Sequence, residues 1–290
     1  MHIGILSVRD DAYHPNNRLM AAAREMGHRI SLIHTRDCLS GIKEGQSKVI
    51  LPDAEPPDVL LPRVGATIND YALSVVRHFE LSGTRVVNGF RSILMARNKF
   101  MGLQRLAKQG VNVPHTYLAV THEGFERSVD RLGGYPVVAK MPSSRQGNGV
   151  MLVESRATAS FVMNNLMDNT KGILVQEYLP PEGRTDVRAF VLGDRVLGAM
   201  SLKPKGKDFR TNIHITGQGE KLTLNPQLSD LAVQSSCALG LGISGCGIIL
   251  QKNGAPKVLE VNYSPGFRGL EHATGMDIAR QIIHYVTVKE

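Results

Sequence analysis

The chain contains no tryptophan, and aromatic residues make up only 5% of it. Proteins that grip single-stranded nucleic acid set aromatic stacking platforms in a basic groove. This chain has few such rings and no block of Lys and Arg, so a nucleic-acid surface is poorly supported. No apolar run approaches the ~18–20 residues that cross a bilayer, which argues against a membrane helix. Cysteines are three, Cys38, Cys237 and Cys246. They are odd in number, far apart and form no C-x-x-C, so they read as reduced thiols of a cytoplasmic protein. The start, Met1-His2-Ile3-Gly4-Ile5-Leu6-Ser7-Val8, lacks a basic n-region and reads as a strand rather than a signal peptide. No internal repeat or low-complexity segment occurs.

What remains is the composition of an ordinary globular protein. Apolar residues are 42% and charged residues 21% of 290 positions, enough for one large domain or two to three small ones. A formal net charge of +8 favours anionic partners such as nucleotides or acidic peptides. Scattered, solvated Lys and Arg would give the same figure.

Residues 1 to 95 alternate strand and helix signals, the pattern of a small parallel α/β sheet. Strands are expected at His2–Val8, Arg29–His34, Val59–Leu61 and Arg85–Asn88, and helices at Arg18–Met26 and Ile68–Leu81. Cys38 to Pro57 reads as a loop or short hairpin. Phe90 to Gln109 is compatible with one long basic helix ending at Gly110. A second unit, 96–179, offers strands at Tyr117–Val120, Val137–Met141, Val150–Val153 and Ile173–Glu177, with helices at Glu123–Leu132 and Thr158–Met167. A third, 180–290, offers two hairpins: Val187–Leu192 with Val196–Ser201 around Gly193-Asp194-Arg195, and Ile243–Gln251 with Lys257–Asn262 around Lys252-Asn253-Gly254. Helices at Leu228–Leu239 and Met276–Val286 complete it.

One stretch carries the chemistry: Lys257-Val258-Leu259-Glu260-Val261-Asn262-Tyr263-Ser264-Pro265-Gly266-Phe267. It alternates apolar and polar residues as a strand, then turns at Pro265-Gly266. Residues i and i+2 of a strand share a face, so Glu260 and Asn262 project together. A carboxylate beside an amide oxygen is a hard ligand set, suited to Mg2+ or Mn2+. A solvated strand face would show the same E-x-N. Ser143 to Gly149 is a glycine-punctuated loop between two strands; its glycines let backbone N–H groups approach phosphate. It is not a Walker A sequence, and a plain surface loop is the alternative.

E-V-N-x-S-P-G followed by Gly269-Leu270-Glu271, Thr274-Gly275 and Asp277-Ile278-Ala279 resembles the end of an ATP-grasp ligase. The likeness is to the RimK group, which adds glutamate to the C-terminus of a ribosomal protein. It continues through Gln176-Glu177-Tyr178, Asp186-Val187-Arg188 and Asp208-Phe209-Arg210-Thr211-Asn212-Ile213-His214, and reaches Ile5-Leu6-Ser7 and Pro62-Arg63-Val64-Gly65, in family order over nearly the whole chain. The resemblance implies an ATP-grasp fold: an N-terminal parallel pre-ATP-grasp unit (1–95) and two ATP-grasp subdomains (96–179 and 180–290, the latter with the metal site). It implies ATP as substrate, with Lys140 and Lys99 on its phosphates and Gly147 and Gly149 in the loop above them. Glu177 and Tyr178 would meet the adenosine, assisted by Asp186, unless Asp186 simply pairs with Arg188. Arg210, Thr211 and Asn212 would line the ATP site, and Arg210 with Lys140 would neutralise charge on the transferred phosphoryl group. Glu260 and Asn262 would hold Mg2+ or Mn2+. Arg63 falls where the family places acceptor-binding groups. Homo-oligomers are implied as well.

Two positions depart from the pattern. The family carries an acidic metal ligand on the strand before E-V-N, where this chain reads Ser244-Gly245-Cys246-Gly247-Ile248-Ile249. The RimK group carries paired arginines where this chain has Leu202-Lys203. The expected activity is ATP-dependent joining of a carboxylate to the amine of an amino acid, glutamate first, at a protein C-terminus through an acyl phosphate. The alternatives are the same chemistry on a small metabolite or carrier protein, and an ATP-binding module with weakened catalysis.

Overall fold

The computed structural model describes residues 1–51, 55–65, 68–142, 149–167, 170–202, 219–252 and 254–288, with Lys48 and Val49 described through their backbone alone. The fold is mixed α/β, with a four-stranded parallel sheet, antiparallel sheets of four and five strands, and a two-stranded hairpin among the described residues.

The parallel sheet has the order β2-β1-β5-β6. Its strands are β1 (His2–Ser7), β2 (Arg29–His34), β5 (Val59–Pro62) and β6 (Arg85–Val86). β1 and β5 are buried along their whole length, which is why both read as continuous apolar runs. Between β2 and β5 lies the hairpin β3 (Leu39–Lys43) and β4 (Gln46–Ile50). Helix α1 (His14–Glu25) follows β1, and α2 (Asp70–Leu81) follows β5. Asn69 caps α2, its Oδ1 accepting from Ala72 N at 2.8 Å.

The single helix expected over Phe90–Gln109 is two: α3 (Phe90–Arg97) and α4 (Lys99–Lys108). Asn98 breaks them. Its backbone is extended, and its Oδ1 accepts from Phe100 N and Met101 N at 3.0 and 3.1 Å. A side-chain acceptor that satisfies the first turn of a new helix competes with helix continuation.

The second sheet runs β7-β10-β8-β9: Thr116–Ala119, Ile173–Glu177, Val137–Lys140 and Val150–Val153. Helices α5 (His122–Arg131) and α6 (Arg156–Leu166) cover it with Phe125, Val129 and Val162. The third sheet is antiparallel, β13-β12-β11-β14-β15. β11 (Arg184–Leu192) and β12 (Arg195–Leu202) turn at Gly193, whose φ of 62° suits glycine. β14 (Ile243–Gln251) and β15 (Lys257–Asn262) form the expected second hairpin. Helix α7 (Pro226–Ala238) packs Ala232 against Val187, Ala189 and Ile248. The short strand β13 (Glu220–Leu222) and helix α8 (Arg268–Thr274) have no counterpart in the sequence reading. Three and seven residues are too few to show a period. The last helix, α9 (Ile278–Thr287), joins α1, β1 and β5 in one core of Ile3, Ile5, Leu19, Leu61, Phe190, Ile243 and Ile282. The N-terminal sheet and the third sheet are therefore welded together. Among the described residues no helix is long and apolar enough to cross a membrane.

Candidate active site

β15 does not alternate throughout. Its pairing with β14 shifts between Gly247 and Ile248, because Glu260 faces Gly247 while Val258 faces Ile248. Leu259 is the extra residue of a β-bulge. Beyond the bulge the register is regular, Gly247 with Glu260 and Gly245 with Asn262, so Glu260 and Asn262 share a face as expected.

The same row continues onto β11, where Arg188 pairs with Gly247. Arg188, Gly247 and Glu260 thus lie side by side across three strands. Arg188 reaches over the glycine, and its Nη1 donates to Glu260 Oε1 at 2.9 Å. A Cβ at position 247 would stand 2.4 Å from that Nη1. The bare backbone at Gly247 is what lets the pair form. This removes the alternative reading of Asp186 as the partner of Arg188, which pairs with Glu260. Asp186 instead accepts from Arg184, Oδ1 from Nε at 2.6 Å and Oδ2 from Nη2 at 3.1 Å, and is only 5% exposed. The same guanidinium donates from Nη1 to Leu179 O at 2.6 Å. Asp186 therefore stiffens the chain just after the crossover strand.

Two lysines converge on Glu260. Lys140 ends β8, and its Nζ donates to Gln176 Oε1, while Gln176 Nε2 donates to Thr116 Oγ1 at 2.8 Å. Burial pushes the Lys140 ammonium down to about 8; Glu260 opposes this, and Lys99, Arg184 and Arg188 add to it. Lys99 opens α4. Its backbone N donates to Pro142 O at 3.1 Å and its Nζ to Met141 O at 3.5 Å, at the foot of the glycine loop. Burial lowers its pKa too, against the pull of Glu260. Burial would raise the Glu260 carboxyl, but Arg188, Lys99 and Lys140 outweigh it and hold the group below its ordinary value. Among the described residues, three cations thus act on this one carboxylate.

Glu177 ends β10 and Tyr178 follows it, where the chain crosses from the second sheet to the third. Glu177 Oε1 accepts from His115 N at 2.8 Å and pairs with Lys257 Nζ. The carboxylate thus ties the crossover to the start of β15. Burial raises the Tyr178 phenol, and Glu182 adds to the rise. Gly149 ends the glycine loop, with its O accepting from Met141 N at 2.9 Å. Gly147, Arg210, Thr211 and Asn212 lie outside the described residues, as does Lys203. Leu202 is described and fully buried.

A hard cation fits what is present only in part. Glu260 is 39% exposed and shares one oxygen with Arg188. Asn262 is exposed, its Oδ1 accepting from Ser264 N at 3.0 Å. Among the described residues no three His, Cys, Asp or Glu side chains gather as a metal cage. Such a pair suits Mg2+, which takes few protein ligands and completes its shell with water and phosphate.

Sequence reasoning named Lys99, Lys140, Glu260 and Asn262 and left Arg188 and Gln176 without site roles. Both stood in quoted motifs; the missing signal was register, which brings Arg188 to Glu260 across 72 positions.

Comparison with known proteins decides the family. Residues 1–93 match the RimK pre-ATP-grasp domain and residues 96–286 the RimK-like ATP-grasp domain. The chain belongs to the RimK-like ATP-grasp family. It is thereby an amide-bond-forming ligase with a fold that binds ATP. A probable alpha-L-glutamate ligase of Shewanella frigidimarina is 35% identical over 288 residues, 99% of this chain and 95% of the relative. Another from Thioalkalivibrio sulfidiphilus is 36% identical over 288 residues with the same two shares. Among solved structures, a RimK domain ATP-grasp protein from Sphaerobacter thermophilus has a TM-score of 0.79 at 23% identity, covering 99% of this chain and all of that one. The ATP-grasp ligase PsnB complexed with a minimal precursor has a TM-score of 0.75 at 20% identity, covering 97% of both chains. These two share the fold.

Proposed function

We propose that the chain uses ATP to activate the C-terminal carboxylate of a protein and joins it to the amine of an amino acid, glutamate being the first choice. The observation that carries this is the meeting of Lys99, Lys140 and Arg188 around Glu260, cationic groups gathered at one hard ligand. The carboxylate oxygen takes the γ-phosphoryl group and ADP leaves. The amine then attacks the acyl carbon, loses a proton, and expels phosphate. Lys99 and Lys140 neutralise the phosphate oxygens as point charges, and Arg188 holds Glu260 in place. Glu260 and Asn262 would hold Mg2+, which when bound shields the β- and γ-phosphates. Arg210, Thr211, Asn212 and Gly147 are proposed for the same nucleotide, with Gly149 as the loop's hinge. Glu177 and Tyr178 would border the adenosine, and Asp186 assists through Arg184 rather than by direct contact. The names of the relatives support glutamate as the amino acid.

The same chemistry on a small metabolite or carrier protein is the second reading. Leu202 favours it, since a fully buried leucine stands where the RimK group has an arginine. An ATP-binding module with weakened catalysis is the outcome to beat, because Gly247 supplies no carboxylate. Homo-oligomerisation and a cytoplasmic location remain part of the proposal; light scattering tests the former. The deciding assay is ADP release with a panel of amino acids and peptide acceptors. Glu260→Ala should abolish it, by at least about a hundredfold, with the melting temperature kept within a few degrees. Full turnover by that variant at low millimolar Mg2+ would overturn the assignment. ATP binding without phosphate release under any condition would favour the weakened module.

A further inference from the structure

Among the described residues, four buried side-chain polar atoms lack a hydrogen-bond partner, and three belong to one place: Arg63 Nε, Asn16 Oδ1 and His14 Nδ1. Unpaired buried polar groups are rare, and each calls for an explanation. Arg63 follows β5 directly. Its backbone N donates to Leu6 O at 2.7 Å, which sets it beside the end of β1. Its side chain is 93% buried (7% exposed), and Nη2 donates to Pro265 O at 2.6 Å. No carboxylate pairs with it among the described residues. Burial alone pushes it down to about 10, with only Tyr13 opposing.

Asn16 lies in the first turn of α1. Its Nδ2 donates to Ser7 Oγ, Arg9 O and Asp10 O at 3.1, 3.1 and 2.8 Å. Turning the amide over would set its oxygen against two carbonyls, so Oδ1 must be the atom that faces away. His14 stacks edge-on against Phe267 at 5.6 Å, and the Arg63 guanidinium lies 5.9 Å from the centre of the same ring. His14 Nε2 faces Glu271 Oε2 at 3.5 Å, which leaves Nδ1 as an acceptor. His14 and Arg63 thus flank one aromatic ring, and Asn16 stands two residues along α1 from His14, tied to the Ser7 end of β1.

The topology gives the place a meaning. With the order β2-β1-β5-β6, the chain leaves β1 to one side for β2 and returns to the other side for β5. Open α/β sheets bind ligands outside the carboxyl ends of their strands, where the order reverses. Ser7 and Arg63 stand at that point. The first turn of α1 opens there too, with no side-chain cap and no acidic residue, and uncapped N–H groups favour an anion. Pro265 links this crevice to the nucleotide side, since it packs over Gly245 beside Asn262.

We infer that the crevice at the carboxyl ends of β1 and β5 binds a free α-amino acid, its carboxylate on Arg63 and its ammonium group on Asn16 Oδ1 and His14 Nδ1. One unmet donor and two unmet acceptors match a zwitterion. A hydrogenphosphate ion can offer a P–OH, but no cationic donor to serve both acceptors at once. The inference rests on the ligase reading for the ligand's role as the amine substrate. It adds the residues that select an unblocked amino acid.

The test is calorimetric titration of the full chain, saturated with Mg2+ and AMPPNP, with each standard amino acid, L-glutamate first. Nucleotide binding is read in the same cell beforehand, so failure of the ligase reading shows there and the amino-acid step still decides the crevice. At least one amino acid should bind, and its N-acetyl and α-carboxamide forms should each bind at least tenfold more weakly. Arg63→Met should weaken it at least tenfold with the nucleotide Kd unchanged. Should that variant not fold, the Nε–H resonance of Arg63 in the parent chain serves instead: it should move on adding the amino acid and hold still for its α-carboxamide. Binding by no amino acid, equal binding of the blocked forms, an unchanged affinity in folded Arg63→Met, or an equal Nε–H response to inorganic phosphate would each overturn the inference.

Discussion

Lys140 is held where its charge is disfavoured, and this gives the molecule a pH dependence with a defined sign. Its folded pKa, about 8, lies below the ordinary lysine value of 10.5. Below about pH 8 the folded chain bears the whole penalty of a buried ammonium, and that penalty is relieved as pH rises from about 8 toward 10.5. A bound polyphosphate acts the other way and favours the charged form. Nucleotide binding should therefore take up protons above pH ~8. The ATP Kd is expected to be flat near pH 7 and to rise by up to about tenfold per pH unit beyond 8. Calorimetry at pH ~8.5 in two buffers of different ionisation enthalpy should show uptake of up to about one proton. Lys140→Met should show weaker binding and less uptake. A constant Kd from pH 7 to 9 with no uptake would mean that Lys140 does not meet the phosphates. Gln176 matters at the same scale, because an amide oxygen on Nζ fixes the ammonium without cancelling its charge.

At the scale of elements, the row Arg188–Gly247–Glu260 decides what the missing carboxylate means. Any side chain at 247 collides with the Arg188 guanidinium, the far end of a flexible side chain, so the strands can keep their register while the arginine moves. Gly247→Ala should therefore free Glu260 from Arg188 without adding charge. Gly247→Asp should do the same and place a second carboxylate beside Glu260. The pair is partly exposed, so its loss should change stability by under about 1 kcal/mol. The Mg2+ concentration for half-maximal ADP release should fall in the Asp variant and not in the Ala variant, and Mn2+ titration should show tighter binding only in the former. Equal effects in both would make Arg188, not the absent charge, the cause. These residues also show how far a sequence can be read. Glu260 and Asn262 were legible because i and i+2 on a strand share a face, and the hairpins were legible because Gly193 and Gly254 mark their turns. The bulge at Leu259 was not, since one extra residue leaves no mark until the partner strand is known. The break at Asn98 was hidden by neighbours that all favour helix. A pairing of Arg188 with Asp186 stayed open as an alternative because local spacing shows neighbours along a strand, not those across a sheet.

At the scale of the whole molecule, the first and third sheets behave as one body. They share a core in which Ile3, Ile5 and Leu19 meet Phe190, Ile243 and Ile282. Polar ties cross the same boundary: Arg63 to Pro265 O, Arg85 Nη1 to Val286 O at 3.0 Å, and Tyr263 Oη to Gly65 O. Asn88 is the densest of them. Its Nδ2 donates to Ile243 O and Tyr263 O at 2.7 and 2.8 Å, and its Oδ1 accepts from Ile243 N at 3.0 Å. Asn88→Ala would leave three backbone groups of the third sheet without partners. At ~1–3 kcal/mol for each unmet buried group, less what an entering water restores, the loss should be about 3 kcal/mol. For a chain of this size that lowers the melting temperature by roughly 6–12 °C. Because the apolar core is shared, scanning calorimetry should still show these two sheets melting in one transition. A drop under about 2 °C would mean that water replaces the amide fully. Separate melting of the N-terminal sheet ahead of the third would mean that Asn88, rather than the shared core, joins the crevice of Arg63 to the strand of Glu260.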